Sequence, residues 1–84
     1  MNTKQRKTLK AVFKTPTPKN IAWKDLESLL LAVDARKTEG SGSRVRFYSE
    51  KTFVIFHKPH KQKEAEPGQV KDARHFLTKL GVTP

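Results

Sequence analysis

The sequence predicts an α+β domain with the element order α-α-β-β-β-α, in which a three-stranded antiparallel sheet carries helices on one face only. Apolar residues recur with helical spacing up to about Ala35 and again after Pro67, and the segment between them alternates apolar and polar residues. A chain of 84 residues has room for one modest core. We therefore expect residues 1–84 to form a single domain.

The N-terminal segment is basic and is expected to be helical. Leu9, Val12 and Phe13 share one face of a helix from about Thr3, and the prolines of the sequence TPTPKN end it. Residues 1–20 hold six Lys or Arg and no acidic residue. The domain is thus predicted to begin with a basic helix and a proline-containing connector.

The second helix has the strongest periodicity in the chain. It is expected to begin between Asn20 and Lys24 and to run to about Ala35. Its apolar stripe is typical of a core and not of a chemical site, and consists of Trp23, Leu26, Leu29, Leu30 and Val33.

Three strand candidates follow the second helix. ARKTEG is a weak polar strand suited to a sheet edge, and GSGS is a turn. RVRFY alternates, with Val45 and Phe47 on one face and Arg44, Arg46 and Tyr48 on the other. TFVIFH is apolar almost throughout, which predicts the central strand of the sheet.

The last helix is expected to begin near Pro67 and to end at Gly81, which would adopt a left-handed conformation after the helix. Val82 could then contact Leu77 and close a Schellman motif. His75 falls on the solvent side of this helix and has no expected role. The inner face of the helix consists of Val70, Ala73, Phe76, Leu77 and Leu80.

The face of the sheet without helices is the candidate site. The sequence alone does not decide on which side of its strand His57 lies, because both faces of that strand are apolar. We expect His57 to share the outer face with Arg44, Arg46 and Tyr48. Such a group could bind phosphates, stack on a base and move a proton.

Charge indicates the class of partner. Eighteen Lys and Arg stand against eight Asp and Glu, a formal net charge of +10, which favours a polyanion such as nucleic acid. We expect Lys58, Lys61 and Lys63 to follow a nucleic-acid backbone and His60 to contact phosphate. The alternative for this loop is an ordinary solvated surface.

Several classes of function are disfavoured. The chain has no cysteine, and His57 and His60 lack further ligands at metal-binding spacing, so neither a metal nor another cofactor is expected. No apolar run approaches the ~20 residues of a membrane span, and no signal peptide is recognisable, so we expect a cytoplasmic protein. A DNA-binding helix-turn-helix is a less consistent interpretation, because no helix is predicted directly after Ala35, where the recognition helix should lie.

The order of elements, the Gly-Ser turn, FHKPH and the terminal HFLTKLGV together resemble the HicA toxins of bacterial HicA–HicB toxin–antitoxin pairs. The resemblance extends back through IAWKDLESLLLAV to KTLKAVF. It implies a fold like that of double-stranded-RNA-binding domains, mRNA cleavage, and a HicB-like antitoxin as partner.

One position departs from the family pattern. HicA toxins usually carry a catalytic histidine after the Gly-Ser pair, and Arg44 stands at that place. Arginine stays protonated at neutral pH and cannot act as a general base, although it can stabilise charge. If the protein cuts RNA, His57 or His60 must supply the acid–base chemistry. We therefore expect this protein to be the toxin of a type II pair and to act as a metal-independent mRNA endoribonuclease, with His57 and Arg44 as catalytic residues. The alternative is a non-catalytic RNA- or ribosome-binding module.

Overall fold

The structure, a computed structural model, describes residues 1–84 and has the predicted order of three helices and three strands. The three strands form one antiparallel sheet, and the helices cover one of its faces around a single core. The elements are α1 (Thr3–Val12), α2 (Trp23–Ala32), β1 (Arg36–Glu39), β2 (Arg44–Tyr48), β3 (Phe53–His57) and α3 (Pro67–Lys79).

The order of strands in the sheet is β1-β2-β3, so β2 is central and β3 lies at an edge. The prediction that TFVIFH forms the central strand is therefore wrong. Short turns join β1 to β2 and β2 to β3, and such turns place consecutive strands side by side. The continuous apolar character of β3 does not reflect burial on both sides. Phe53 and Ile55 lie on the face of the sheet without helices and are exposed.

Phe56 connects the sheet to the helices. Its ring meets that of Trp23 at a centroid distance of 5.4 Å and that of Phe47 at 6.0 Å, both in edge-to-face geometry. Aromatic pairs of this kind contribute beyond the area that they bury. Because successive residues of a strand point to opposite faces, burial of Phe56 directs His57 to the open face.

The first helix is an integral part of the core. Asn2 and Gln5 form a capping box at its N-terminus, and Leu9 and Val12 are buried. The guanidinium of Arg74 on α3 donates hydrogen bonds to the carbonyl oxygens of Val12 and Lys14, at 2.9 and 3.2 Å. The first bond satisfies a carbonyl group that the end of α1 leaves without a helical partner, and the second holds the segment that follows the helix.

The second helix ends earlier than predicted. Asp34 adopts a left-handed conformation with φ of 64°, which α2 cannot continue through. Aspartate tolerates this region better than most residues because its short side chain bonds locally. Ala35 is buried immediately afterwards, and the chain enters β1 as the predicted polar edge strand.

The last helix has the predicted ends. It begins at Pro67, and Gly81 has a φ of 78°. The amide of Val82 donates to the carbonyl of Leu77 at 2.9 Å, and the amide of Gly81 donates to that of Thr78 at 3.0 Å. This pair of bonds is the Schellman motif.

An ion pair fastens β1 to the helical layer. The ammonium of Lys37 lies 3.0 Å from Oε2 of Glu27 on α2, and both side chains are about three-quarters buried, with exposures of 26% and 23%. The hydrogen bond that the Lys37 ammonium donates to the Glu27 carboxylate is the main cause of a raised pKa for Lys37, partly offset by burial. The pair thus holds the edge strand that has the fewest apolar residues.

Replacement of Phe56 by alanine should lower the free energy of unfolding by about 3–5 kcal/mol, because it removes a ring that contacts both α2 and β2. Phe53→Ala in the same strand is the matched control and should cost less than about 1 kcal/mol, because that ring is 56% exposed. Urea titration measures both. Equal losses would contradict the assignment of Phe56 to the core.

Replacement of Glu27 by glutamine should reduce stability by no more than about 1 kcal/mol at neutral pH. Because the pKa of Lys37 is raised, the pair stabilises the folded state below the usual value of 10.5 and loses its effect as pH rises through the folded pKa. The difference between the two proteins should therefore shrink above about pH 10.5. Glu50→Gln, which removes a charge from an exposed residue that forms no ion pair, controls for net charge. A difference that stays constant from pH 8 to 11 would show that the ion pair contributes nothing.

Candidate nucleic-acid interface

The open face of the sheet carries two parallel rows of side chains, one from each of the strands β2 and β3. The antiparallel register pairs Arg44 with His57, Arg46 with Ile55 and Tyr48 with Phe53. Arg36 on β1, opposite Tyr48, adds a further cation. We call this surface the open face, and it consists of Arg36, Thr38, Arg44, Arg46, Tyr48, Phe53, Ile55 and His57.

His57 lies on the face on which it was expected. It is exposed and is the register partner of Arg44, so the imidazole and the guanidinium extend from neighbouring positions of two paired strands. Directly opposite residues in an antiparallel pair have Cβ atoms about 4.5–5.5 Å apart. The two side chains therefore lie close enough to contact the same phosphate.

The backbone around His57 is held from two sides. The side-chain amide of Gln69 donates to the carbonyl oxygen of His57 at 2.6 Å, and the amide of Lys58 donates to the carbonyl of Ser43 at 2.9 Å. Gln69 is itself fixed by the capping box with Glu66 at the start of α3. The backbone at His57 is thus attached to the start of α3 and is not a free strand end.

The far end of the open face is aromatic. The guanidinium of Arg46 lies 4.9 Å from the centre of the Phe53 ring and 5.3 Å from that of the Tyr48 ring. These are cation–π distances, and each pair contributes about 0.5–1 kcal/mol at an exposed site. Arg46 is therefore held over two rings. Arg44 and Arg36 form no ion pair with a carboxylate, so their charges are not compensated within the protein.

Lys58 differs from the other expected RNA-binding residues because it already has a partner. Its ammonium lies 2.6 Å from Oε1 of Glu39, and Lys37 lies 3.6 Å from the same oxygen. The hydrogen bond from Lys58 lowers the pKa of Glu39, with the charges of both lysines adding to the effect. The positive charge of Lys58 is thus partly compensated in the free protein.

His60 shares a groove with His57. The groove has a volume of about 470 Å³ and lies between the end of β3 and the start of α3. Gln69 and Asp72 line it from α3, and Lys58 lines it from the segment after β3. A larger recess of about 790 Å³ surrounds the opposite end of β2 and contains no histidine. The smaller groove is therefore the one that adjoins the candidate chemistry.

Lys61 and Lys63 follow in an exposed loop. Lys63 is held by its backbone, because the amide of Trp23 donates to its carbonyl oxygen at 2.8 Å. The amide of Ala65 donates to the carbonyl of Ile21 at the same distance. The structure thus anchors this loop to the start of α2 and brings neither lysine into the groove of His57 and His60.

Sequence reasoning did not assign functional roles to four residues of the open face. Arg36 and Thr38 lie in a strand that was expected only as an edge, and Phe53 and Ile55 were part of an apolar run that was interpreted as central. The available signal was the alternation within β3. With Phe56 assigned to the core, Phe53 and Ile55 necessarily share the side of His57.

A second group of cations lies away from the sheet. Arg6, Lys7 and Lys10 are exposed on α1, on the side away from buried Leu9 and Val12. The helix packs against α2 and α3. The positive charge of the chain is thus divided between the open face and a helical surface.

The fold and the open face define a small basic α+β domain with exposed cations, aromatic rings and a histidine on one sheet surface. The family model described as the HicA toxin of bacterial toxin-antitoxin matches residues 23–82. The chain belongs to this family of toxins, as the sequence resemblance indicated. Comparison with curated proteins and with solved structures gives no match.

The match begins at Trp23, so α1 lies outside it, although its sequence was included in the resemblance. Membership of a toxin–antitoxin family implies an antitoxin as partner. None of the three helices has the length and apolar character that a membrane crossing requires. The structure contains no group of three or more His, Cys, Asp or Glu side chains arranged to hold a metal ion.

Proposed function

We propose that the protein is an RNA-binding toxin that cleaves mRNA without a metal ion, with His57 as the acid–base residue and Arg44 as the charge stabiliser. Toxins of this family are generally known as mRNA interferases. The observation that carries the proposal is the register pairing of Arg44 with His57 on an exposed cationic face. The expected cytoplasmic location and a HicB-like antitoxin belong to the same proposal.

The chemistry requires a proton acceptor, a proton donor and a cation. An imidazole takes the proton of the 2′-hydroxyl, the 2′-oxygen bonds to phosphorus, and the bond from phosphorus to the 5′-oxygen breaks. The 5′-oxygen leaves with a proton, which water can supply at this exposed site, and the products are a 2′,3′-cyclic phosphate and a 5′-hydroxyl. Histidine suits the proton step near pH 7, and general acid–base catalysis contributes about 10²–10⁴-fold.

Arg44 supplies the cation. Charge develops on the non-bridging phosphate oxygens as the 2′-oxygen attacks, and a fixed guanidinium can donate two parallel hydrogen bonds to them. Arginine at this position is compatible with cleavage only if the proton acceptor lies elsewhere. His57 on the paired strand is the residue of this kind closest in register.

The remaining candidate residues would bind RNA and not react with it. Arg46 and Tyr48 extend the open face away from His57, whereas His60 lines the groove beside it. Lys58, Lys61 and Lys63 would contribute phosphate contacts that do not depend on base sequence. For Lys58, binding of RNA would compete with the ion pair to Glu39.

A non-catalytic RNA- or ribosome-binding module is the second candidate. The observation that favours it is the arginine at the position of the usual family histidine. Such a module would need the same cationic open face but no imidazole. The two proposals therefore differ in the effect of His57 on cleavage and agree on binding.

RNA binding should weaken steeply as salt concentration rises, because each neutralised phosphate releases bound cations. Fluorescence anisotropy with a labelled RNA at several salt concentrations measures the slope. Arg44→Gln should reduce both the affinity and the slope. Lys10→Gln removes the same charge from α1 and is the matched control, with a smaller expected effect. A slope near zero for the parent protein would exclude the electrostatic basis of the proposal.

Replacement of His57 by alanine should abolish RNA cleavage and toxicity while RNA affinity and thermal unfolding stay nearly unchanged, because many cations remain on the surface. His60→Ala should have a smaller effect than either His57→Ala or Arg44→Gln. His75→Ala on α3 is the matched control and should cleave at the parental rate. The cleavage rate is measured beside the binding constant for each variant.

Two results would contradict this assignment in different ways. Cleavage by His57→Ala at the parental rate would show that another residue is catalytic. Failure of the parent protein, freed from its antitoxin, to cut any RNA would favour the non-catalytic module.

The antitoxin should cover the open face around Arg44, Arg46 and His57, with acidic residues opposite the cations. RNA and antitoxin should then compete for the protein. A competition assay with labelled RNA and purified antitoxin tests this expectation. Simultaneous tight binding of both would show that the antitoxin acts at a different surface.

A further inference from the structure

The two rows of the open face differ in chemistry along their length. The β2 row consists of Arg44, Arg46 and Tyr48, whereas the β3 row begins with two apolar residues and ends with His57. A ligand lying along these strands would therefore meet cations on one side and an apolar surface on the other. This division matches a single nucleic-acid strand, which has phosphates along one edge and bases along the other.

The apolar part of the β3 row is exposed to solvent. Phe53 is 56% and Ile55 46% exposed, and they are neighbours on the same face of one strand. The Phe53 ring already has the guanidinium of Arg46 at 4.9 Å. An aromatic ring beside an arginine is a combination on which unpaired bases stack.

We propose that the open face takes single-stranded RNA, with an unpaired base stacked on Phe53, the adjacent base against Ile55, and the phosphates along the arginines of β2. This inference rests on the proposed function and specifies its substrate. It places the stacked base at one end of β3 and His57 at the other, about 13 Å apart for four residues of strand. The strand would thus be anchored at Phe53 while its phosphate reaches Arg44 and His57.

Double-stranded RNA does not fit this arrangement. Its bases are stacked within the helix, so a duplex can present phosphates and 2′-hydroxyls but no free base surface to Phe53. It would leave Phe53 and Ile55 exposed to water, and it would gain only the electrostatic contribution. A resemblance to double-stranded-RNA-binding domains in fold therefore does not extend to this surface.

Binding of an unstructured RNA oligonucleotide and of a duplex with the same number of phosphates tests the proposal. The parent protein should bind the single strand more tightly than the duplex at the same salt concentration. Phe53→Leu should weaken single-strand binding by about 5- to 140-fold and leave duplex binding unchanged. Phe53→Trp should retain single-strand affinity. Leu31→Ala, which alters another exposed apolar residue, on α2 and away from the open face, is the control.

A series of oligonucleotides in which one base at a time is removed, leaving the sugar and phosphate, identifies the stacked base. At one position the missing base should weaken binding to the parent protein but not to Phe53→Leu, because the partner of that base is already absent. Equal effects on both proteins at every position would overturn the proposal.

The outcomes separate this inference from the proposed function. If the parent protein binds neither RNA, the proposed function and the inference both fail. If it binds single strand and duplex equally, or if Phe53→Leu binds the single strand as the parent does, RNA binding stands and the stacking proposal is wrong. If Phe53→Leu impairs only antitoxin binding, the apolar row is a protein contact and the proposal is overturned.

Discussion

The burial of Phe56 is the constraint on which the arrangement of the open face depends. Its ring is held between Trp23 of α2 and Phe47 of β2, which fixes the side of the sheet on which each residue of β3 lies. A shift of one residue in β3 would bury His57 and expose Phe56. A hydrophobic contact thus determines a polar geometry, in which the imidazole of His57 lies opposite Arg44.

The same constraint bears on the proposed activity, because it places an exposed histidine opposite the arginine that follows the Gly-Ser turn. The sheet provides two neighbouring positions at its open end, one on β2 and one on β3. A proton acceptor on either strand would face the same region, and the other position would be free to hold a cation. In this protein, we infer, the cation is on β2 and the imidazole is on β3.

Most of the fold could be predicted from the sequence because its signals are local. The helical stripe of Trp23 and Leu26, the alternation of RVRFY and the glycine after α3 each indicate one element. The strand order could not be derived from composition. The apolar residues of β3 fit a central strand that is buried on both faces, and they fit equally well an edge strand that exposes one apolar row. The ion pair between Lys58 and Glu39 was equally hidden, since it joins two residues 19 positions apart, one in β1 and one directly after β3. The placement of His57 became predictable only once Phe56 was assigned to the core.

The central claim is that the open face is the working surface of the protein. The most direct measurement is an NMR titration of the ¹⁵N-labelled His57→Ala variant, which should not cut the ligand, with single-stranded RNA. We expect the largest amide shift changes in β2 and β3, from Arg44 to Tyr48 and from Phe53 to position 57, with little change in α2. Changes confined to α1 and its neighbours would contradict the account, because they would place RNA on the helical surface.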